Sequence, residues 1–302
     1  MERNNRIYFK LLIVSLLFGI TSCVKEVDFT GEETAPLPVL NCVVDADEDI
    51  VYADLTKSLF FLRYGKFAPI KNAEITFTWK DTELPMQHEK DGVYATIVPI
   101  YTIGAGDGIS IAATMPEFGT ITTETLKMPA KPLICNACYK WTDGDVNIKS
   151  FTLKFLNNDP SNTYYKISVY SNFYNDSTND LDWNNVGYER ISCNDSRLML
   201  SNSDFPTINE GKYLLFPARN FSGDTCILTI EFEGIIYTDN LYYVEVASIS
   251  ESLYKYFSTL NNYYNTQNNP FTEPVQVFTN IRGGLGIFGA KNKKVQPIDN
   301  FW

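Results

Sequence analysis

The sequence predicts a mostly β chain with a single helix close to its C-terminal end. Three observations carry that prediction. Short runs rich in Val, Ile, Thr, Tyr and Phe recur along the chain, separated by Gly, Pro, Asn and Asp. In residues 73–79, Ala-Glu-Ile-Thr-Phe-Thr-Trp, polar and apolar residues alternate, so that Ile75, Phe77 and Trp79 share one face. The apolar period lengthens once, where Leu253, Phe257, Leu260 and Tyr264 fall on one side of a helix.

Taken in order, strands are expected at 38–44, 50–62, 73–79, 92–98, 109–113 and 120–126. Asp91-Gly92 marks a turn, and Gly104-Ala105-Gly106-Asp107-Gly108 a looser one. Short strands at this spacing describe an N-terminal immunoglobulin- or transthyretin-like β-sandwich over residues 38–130. Pro129-Ala130-Lys131-Pro132 reads as a linker, and residues 131–302 as a second, β-sandwich-like domain. There 151–156 and 164–170 are expected to pair around Asn157-Asn158-Asp159-Pro160. Residues 171–210, rich in Asn, Asp and Ser, read as long loops, and strands resume at 225–237 and 241–249. The helix falls near 250–265, with Ser248 and Glu251 at the spacing of a capping box. Pro270 lies beyond it and cannot continue it. A last strand is expected at 275–281.

The N-terminus carries an address. Arg3, Arg6 and Lys10 precede the apolar stretch 11–20, and Ile20-Thr21-Ser22-Cys23 follows. A basic start, a short apolar region and small residues before a cleavage point make a secretion signal. The apolar run is far shorter than the roughly 20 residues that span a bilayer. With cysteine at the cleavage point, the segment resembles a bacterial lipobox. That resemblance implies removal of residues 1–22, acylation of Cys23 with a palmitate-type lipid, and a membrane-tethered protein. Residues 23–37 then form the tether. Lys25, Glu26 and Asp28 resemble the surface-export signal of Bacteroidota lipoproteins, which implies display on the outer face of the outer membrane.

Residues 1–22 hold three basic residues and one acidic, so their removal leaves 280 of 302 residues and takes the formal charge from −11 to −13. An acidic surface argues against nucleic-acid partners and against charge-driven binding to anionic headgroups. Hydrophobic residues make up 44% of the chain, enough to bury a core.

Chemistry-bearing patterns are sparse. Five cysteines remain beside Cys23, and the compartment permits disulfides. Cys193–Cys226 is the favoured bridge; Cys135–Cys138 or a pairing of Cys42 comes second, and an odd count leaves one thiol over. Cys42, Cys135, Cys138 and His88 have the ligand count for zinc but are scattered in sequence. His88 is the sole histidine, so any Ser-His-Asp triad would need it. Asp45, Asp47 and Asp49 repeat the D-x-D-x-D spacing, as do Asp143, Asp145 and Asn147. The glycine and terminal glutamate of an EF-hand are missing from both. Gly284-Leu285-Gly286-Ile287-Phe288-Gly289 is a literal GxGxxG, but lysines and Pro297 follow instead of a helix and a distant acid. Close backbone packing is the better reading. No metal, no cofactor and no catalytic constellation is expected.

The C-terminal stretch 269–290, Asn-Pro-Phe-Thr-Glu-Pro-Val-Gln-Val-Phe-Thr-Asn-Ile-Arg-Gly-Gly-Leu-Gly-Ile-Phe-Gly-Ala, resembles domain-of-unknown-function family 4249 of Bacteroidota lipoproteins. Residues 70–75, 91–94, 248–250, 254–256 and the start 23–29 extend the resemblance over most of the chain. It implies a partner, a TonB-dependent outer-membrane receptor, and carries no catalytic residues. Two functions are therefore expected to compete. One is a non-catalytic accessory or ligand-capture lipoprotein beside such a transporter. The other is a stand-alone glycan- or peptide-binding module using the segment 254–271, or Trp141 and Trp183 as stacking groups. Asp176-Ser177-Thr178 resembles a Bacteroidota O-glycosylation acceptor, which would place a glycan on Ser177.

Overall fold

Strands that alternate inward apolar and outward polar residues build the N-terminal half. The computed structural model describes residues 34–60, 65–99, 102–140, 148–157, 159, 161–175, 180–199, 205–236, 241–267 and 275–299. Its first strands are β1 (Pro38–Asp45), β2 (Ile50–Lys57), β3 (Glu74–Trp79), β4 (Thr82–Lys90), β5 (Val93–Ile97), β6 (Gly108–Met115), β7 (Gly119–Thr122) and β8 (Leu126–Lys127). Leu40, Cys42 and Val44 of β1, Val51, Ala53 and Leu55 of β2, and Ile109 and Ile111 of β6 all point into one core with Phe77 and Tyr94. β4 makes the corner: Thr82–Met86 pair with β3, whereas Gln87 and His88 pair with β5. One strand thus feeds both layers of the sandwich. At the β4–β5 turn Asp91 has φ +51° and Gly92 φ +82°, and a Cβ on Gly92 would lie 2.5 Å from the Leu55 carbonyl oxygen. Only glycine fits there.

The second half follows with β9 (Ile134–Tyr139), β10 (Ile148–Leu156), β11 (Tyr164–Asn175), β12 (Asp180–Tyr188), β13 (Ile191–Ser192), β14 (Glu210–Gly211), β15 (Leu214–Pro217), β16 (Thr225–Ile236), β17 (Leu241–Ile249), helix α1 (Glu251–Thr266) and β18 (Leu285–Pro297). A five-stranded sheet, ordered β14-β13-β16-β10-β9, faces β11 and β17 of the larger sheet. Phe151, Leu153, Phe155, Leu228 and Ile230 meet Tyr165, Ile167, Val169, Val244 and Val246 across the core.

The structure is mostly β with two sheets and one α-helix among the described residues, the class the sequence predicts. Several local expectations change. Residues 151–156 and 164–170 do not pair; they belong to opposite layers, and the Phe155 and Tyr165 rings meet edge-on at 4.9 Å across the core. The stretch expected as loops from 171 to 210 continues β11 to Asn175 and adds β12, β13 and the start of β14, because ladder hydrogen bonds to neighbours outweigh a polar composition. β4 and β9 were not expected. Residues 275–281 form no strand; the strand begins at Leu285.

The larger sheet runs β12-β11-β17-β18-β1-β2-β5-β4-β3-β6-β7 and so crosses the boundary expected at residue 130. β18 is its hinge point. Its first part lies parallel to β1, Val39 to Asp45 against Leu285 to Lys291, and its second part lies antiparallel to β17. Residues 36–302 form one compact unit. Gly286 makes the parallel approach feasible. Its φ is +109°, and a Cβ there would sit 2.1 Å from the Leu40 carbonyl oxygen. The GxGxxG pattern is therefore a packing device, as its strand reading implies.

Candidate functional site

The C-terminal strand, the helix start and the edge of the N-terminal sandwich meet in one place, and side-chain hydroxyls and amides fix them there. The N-cap of α1 is Ser250, not Ser248, which remains inside β17. Ser250 Oγ accepts from Leu253 N–H at 3.4 Å and from Ala290 N–H at 3.1 Å, so one hydroxyl ties helix to strand. Ser252 Oγ–H donates to the Phe288 carbonyl at 3.0 Å. Asn280 then treats β18 as a strand partner would. Its Nδ2–H donates to the Phe288 carbonyl and its Oδ1 accepts from Phe288 N–H, each at 2.8 Å. Two residues on, Arg282 N–H donates to the Thr122 carbonyl at 2.8 Å, bridging this segment to β7.

Between these pieces lies a cleft of about 970 Å³, within the roughly 300–1,000 Å³ common for ligand sites. One wall is the extended stretch Glu124–Ala130; the other is the start of α1 together with Phe278–Arg282, and the 159–164 turn closes one side. Four of its charged residues form two opposed pairs. Arg282 Nη2 lies 2.5 Å from Glu124, and Lys255 Nζ lies 3.0 Å from Glu251 one turn earlier. Lys255 also sits over the Phe205 ring at 5.3 Å and the Phe278 ring at 5.7 Å. Hydrogen bonds from the Ser161 hydroxyl, then from Asn162 and local backbone, hold the Asp159 carboxyl below its ordinary value. The arrangement offers polar contacts and a shaped surface. Sequence reasoning missed it, because Glu124, Asp159, Lys255 and Arg282 are far apart in the chain and share no spacing.

The residues singled out from sequence fall elsewhere. Cys23, Trp141 and Ser177 lie outside the described residues, as do Asp143, Asp145 and Asn147. Trp183 belongs to β12, an edge strand, rather than to a loop. All five described cysteines are thiols in this structure. Cys193 and Cys226 share one core cluster, and burial pushes the Cys226 thiol up to about 12. Cys135 and Cys138 are three apart on β9. Cys135 is exposed and Cys138 buried, and a bulge at Cys135 interrupts the strand between Ile134 and Asn136.

The zinc grouping also comes apart. Cys42 lies in the N-terminal core, its thiol pushed up to about 12 by burial, and His88 on β4 packs edge-on against Tyr94 at 5.1 Å. Among the described residues no three His, Cys, Asp or Glu side chains are grouped to hold a metal ion. Asp45 and Asp47 of the first aspartate run have lysine partners. Asp45 Oδ2 lies 2.8 Å from Lys293 Nζ and 3.1 Å from Lys291 Nζ, while Asp47 lies 2.7 Å from Lys131 Nζ. Burial alone would raise the Asp45 carboxyl, but the two ammoniums override it and hold it below its ordinary value.

A family model described as "Domain of unknown function (DUF4249)" matches residues 24–296. The chain belongs to this family. The DUF4249 match thus takes in both sandwiches, the helix and the cleft, and begins directly after Cys23. No curated protein matches. Among solved structures, the Yersinia pseudotuberculosis adhesin InvE is similar at 12% identity and a TM-score of 0.19, over 70% of this chain and 55% of that one. The DUF4249 chain therefore spans about half the length of that adhesin.

Proposed function

We propose that this DUF4249 protein is a lipoprotein of the outer membrane, anchored through acylated Cys23 and facing the exterior. There it serves as a non-catalytic accessory or ligand-capture component beside a TonB-dependent transporter. The observation that carries the reading is the coincidence of two boundaries: the family match starts at Val24, one residue after the cysteine that ends the signal-like segment. A mature chain beginning at Cys23 would retain the whole family region. The cleft between helix and sandwich edge gives such a protein a place to hold a ligand.

Pull-down of the tagged full chain from detergent-solubilised outer membrane tests the reading. A stoichiometric TonB-dependent receptor is the expected companion. Recovery of the chain alone would sink the accessory role, and a soluble, unacylated chain would sink the anchor.

One observation favours the alternative, a stand-alone glycan- or peptide-binding module. Tyr188, Tyr170 and Tyr243 stand opposite one another on β12, β11 and β17, with ring centroids 5.9 and 5.8 Å apart. Tyr188 is 56% exposed. A row of rings on one sheet face supports stacking against sugars or side chains. Glycan-array binding that Tyr188→Ala abolishes would favour this module over the accessory role.

A further inference from the structure

We infer that the cleft takes an extended peptide segment, which adds as a strand to the free edge of β8. This rests on the ligand-capture reading and names the ligand class. Among the described residues β7 and β8 both pair on one side only, with β6, and form the end of the larger sheet. The edge is handled in two ways. At β7 the Arg282 backbone covers it through the two-way bridge to Thr122. At β8, a few residues on, no described strand covers it, and residues 124–130 form a wall of the cleft instead.

The hydrogen-bond pattern shows which groups face the ligand. Met128 N–H donates to the Asp107 carbonyl at 2.9 Å, and Gly106 N–H donates to the Met128 carbonyl at 2.8 Å. The Gly108 carbonyl, opposite Lys127, is taken from the other side by Lys80 N–H at 2.8 Å. In an antiparallel ladder bonded and unbonded pairs alternate. Leu126 and Met128 therefore bond inward, and the N–H and C=O of Lys127 point into the cleft. An unpaired strand edge is a template for an incoming strand. Four of the six charged residues that line the cleft already hold internal ion pairs, Glu124–Arg282 and Glu251–Lys255. Recognition therefore falls mainly on the peptide backbone. The occupant is a free oligopeptide, since the Arg282 bridge covers the neighbouring β7 edge and leaves only a short stretch open.

Lys127→Pro tests this cleanly. Proline removes the one outward donor while no inward bond is lost, and an edge strand accepts it. The probe is a pool of N-acetylated, C-amidated random octapeptides offered to the full chain in detergent, beside the same pool with N-methylated backbone amides. The expected result is enrichment of the unmethylated pool, with affinity about ten-fold weaker for the variant and an unchanged unfolding midpoint. No enrichment, or binding indifferent to both N-methylation and Lys127→Pro, would overturn the inference. A variant that keeps a co-purified receptor and loses only peptides is the expected result; loss of the receptor as well would give the edge to the partner and overturn free peptide as its occupant. Peptide binding through Lys127 with no receptor recovered from wild type would leave this inference standing while the accessory role falls.

Discussion

The two sandwiches bury similar apolar faces but are closed differently. The C-terminal core is drawn from residues 137–298, all in its own half. The N-terminal core spans residues 40–128 and is finished by Ile281, Phe288 and Ala290 from the far end of the chain. One strand makes the difference, since β18 borders β1 on one side and β17 on the other. The N-terminal half therefore depends on a parallel pairing across some of the longest sequence separations in the chain. The C-terminal half needs no strand from residues 1–130. Contacts of that range are slow to form because loop closure is paid first.

Substitutions at β18 should break this asymmetry most severely. Gly286→Ala puts a Cβ against the Leu40 carbonyl at a backbone angle that side chains rarely adopt. We expect a loss of more than about 4 kcal/mol, or no folded protein, in denaturant unfolding. A near-neutral result would remove the parallel pairing from the account. Next come two fully buried rings, Phe288 and Phe151. Each should cost about 3–5 kcal/mol when cut to alanine. The positions of the damage sharpen the comparison: amide exchange should rise in β1 and β2 for Phe288→Ala, and in β10 and β16 for Phe151→Ala. Equal patterns would mean that the halves open together.

At the sheet edge, Leu126→Pro should cost about 3 kcal/mol because it removes an inward bond. Lys127→Pro should stay within about 0.5 kcal/mol in the same unfolding assay. Reversal of the two would show that the edge faces the other way.

A pH-dependent effect concerns the Asp45 network, where β1 meets β18. Its carboxyl is held below the ordinary value, so its stabilisation is full above the unfolded aspartate value of about 3.9 and is lost as pH falls through the lower folded value. Asp45→Asn should cost about 2 kcal/mol at neutral pH and flatten the acid limb of stability against pH. An unchanged acid limb would assign it to other carboxylates.

Local signals were legible where burial repeats. The alternation of Ile75, Phe77 and their neighbours marked β3, and the four-residue spacing of Leu253, Phe257 and Leu260 marked α1. β4 escaped notice because Met86 is its only buried side chain, so Thr-Glu-Leu-Pro-Met-Gln-His-Glu-Lys shows no period. β12 escaped for a related reason, since Asp180–Tyr188 carries polar residues along a sheet edge. The cap was misplaced by two residues because Ser248 and Ser250 both precede Glu251. Only the end of β17 distinguishes them.

By itself, the sequence determined the mostly β class, the helix, the glycine-dependent packing at 284–289 and the signal-like segment ending at Cys23. These depend on neighbours within a few residues, where side-chain period and backbone freedom act directly. Tertiary structure alone decided that β18 joins both halves, that Asp45 answers two lysines from the far end of the chain, and that residues 124–130 face α1 across a cleft. Such choices rest on which distant segments meet. No local period encodes them, because they are set by the packing of whole faces against one another.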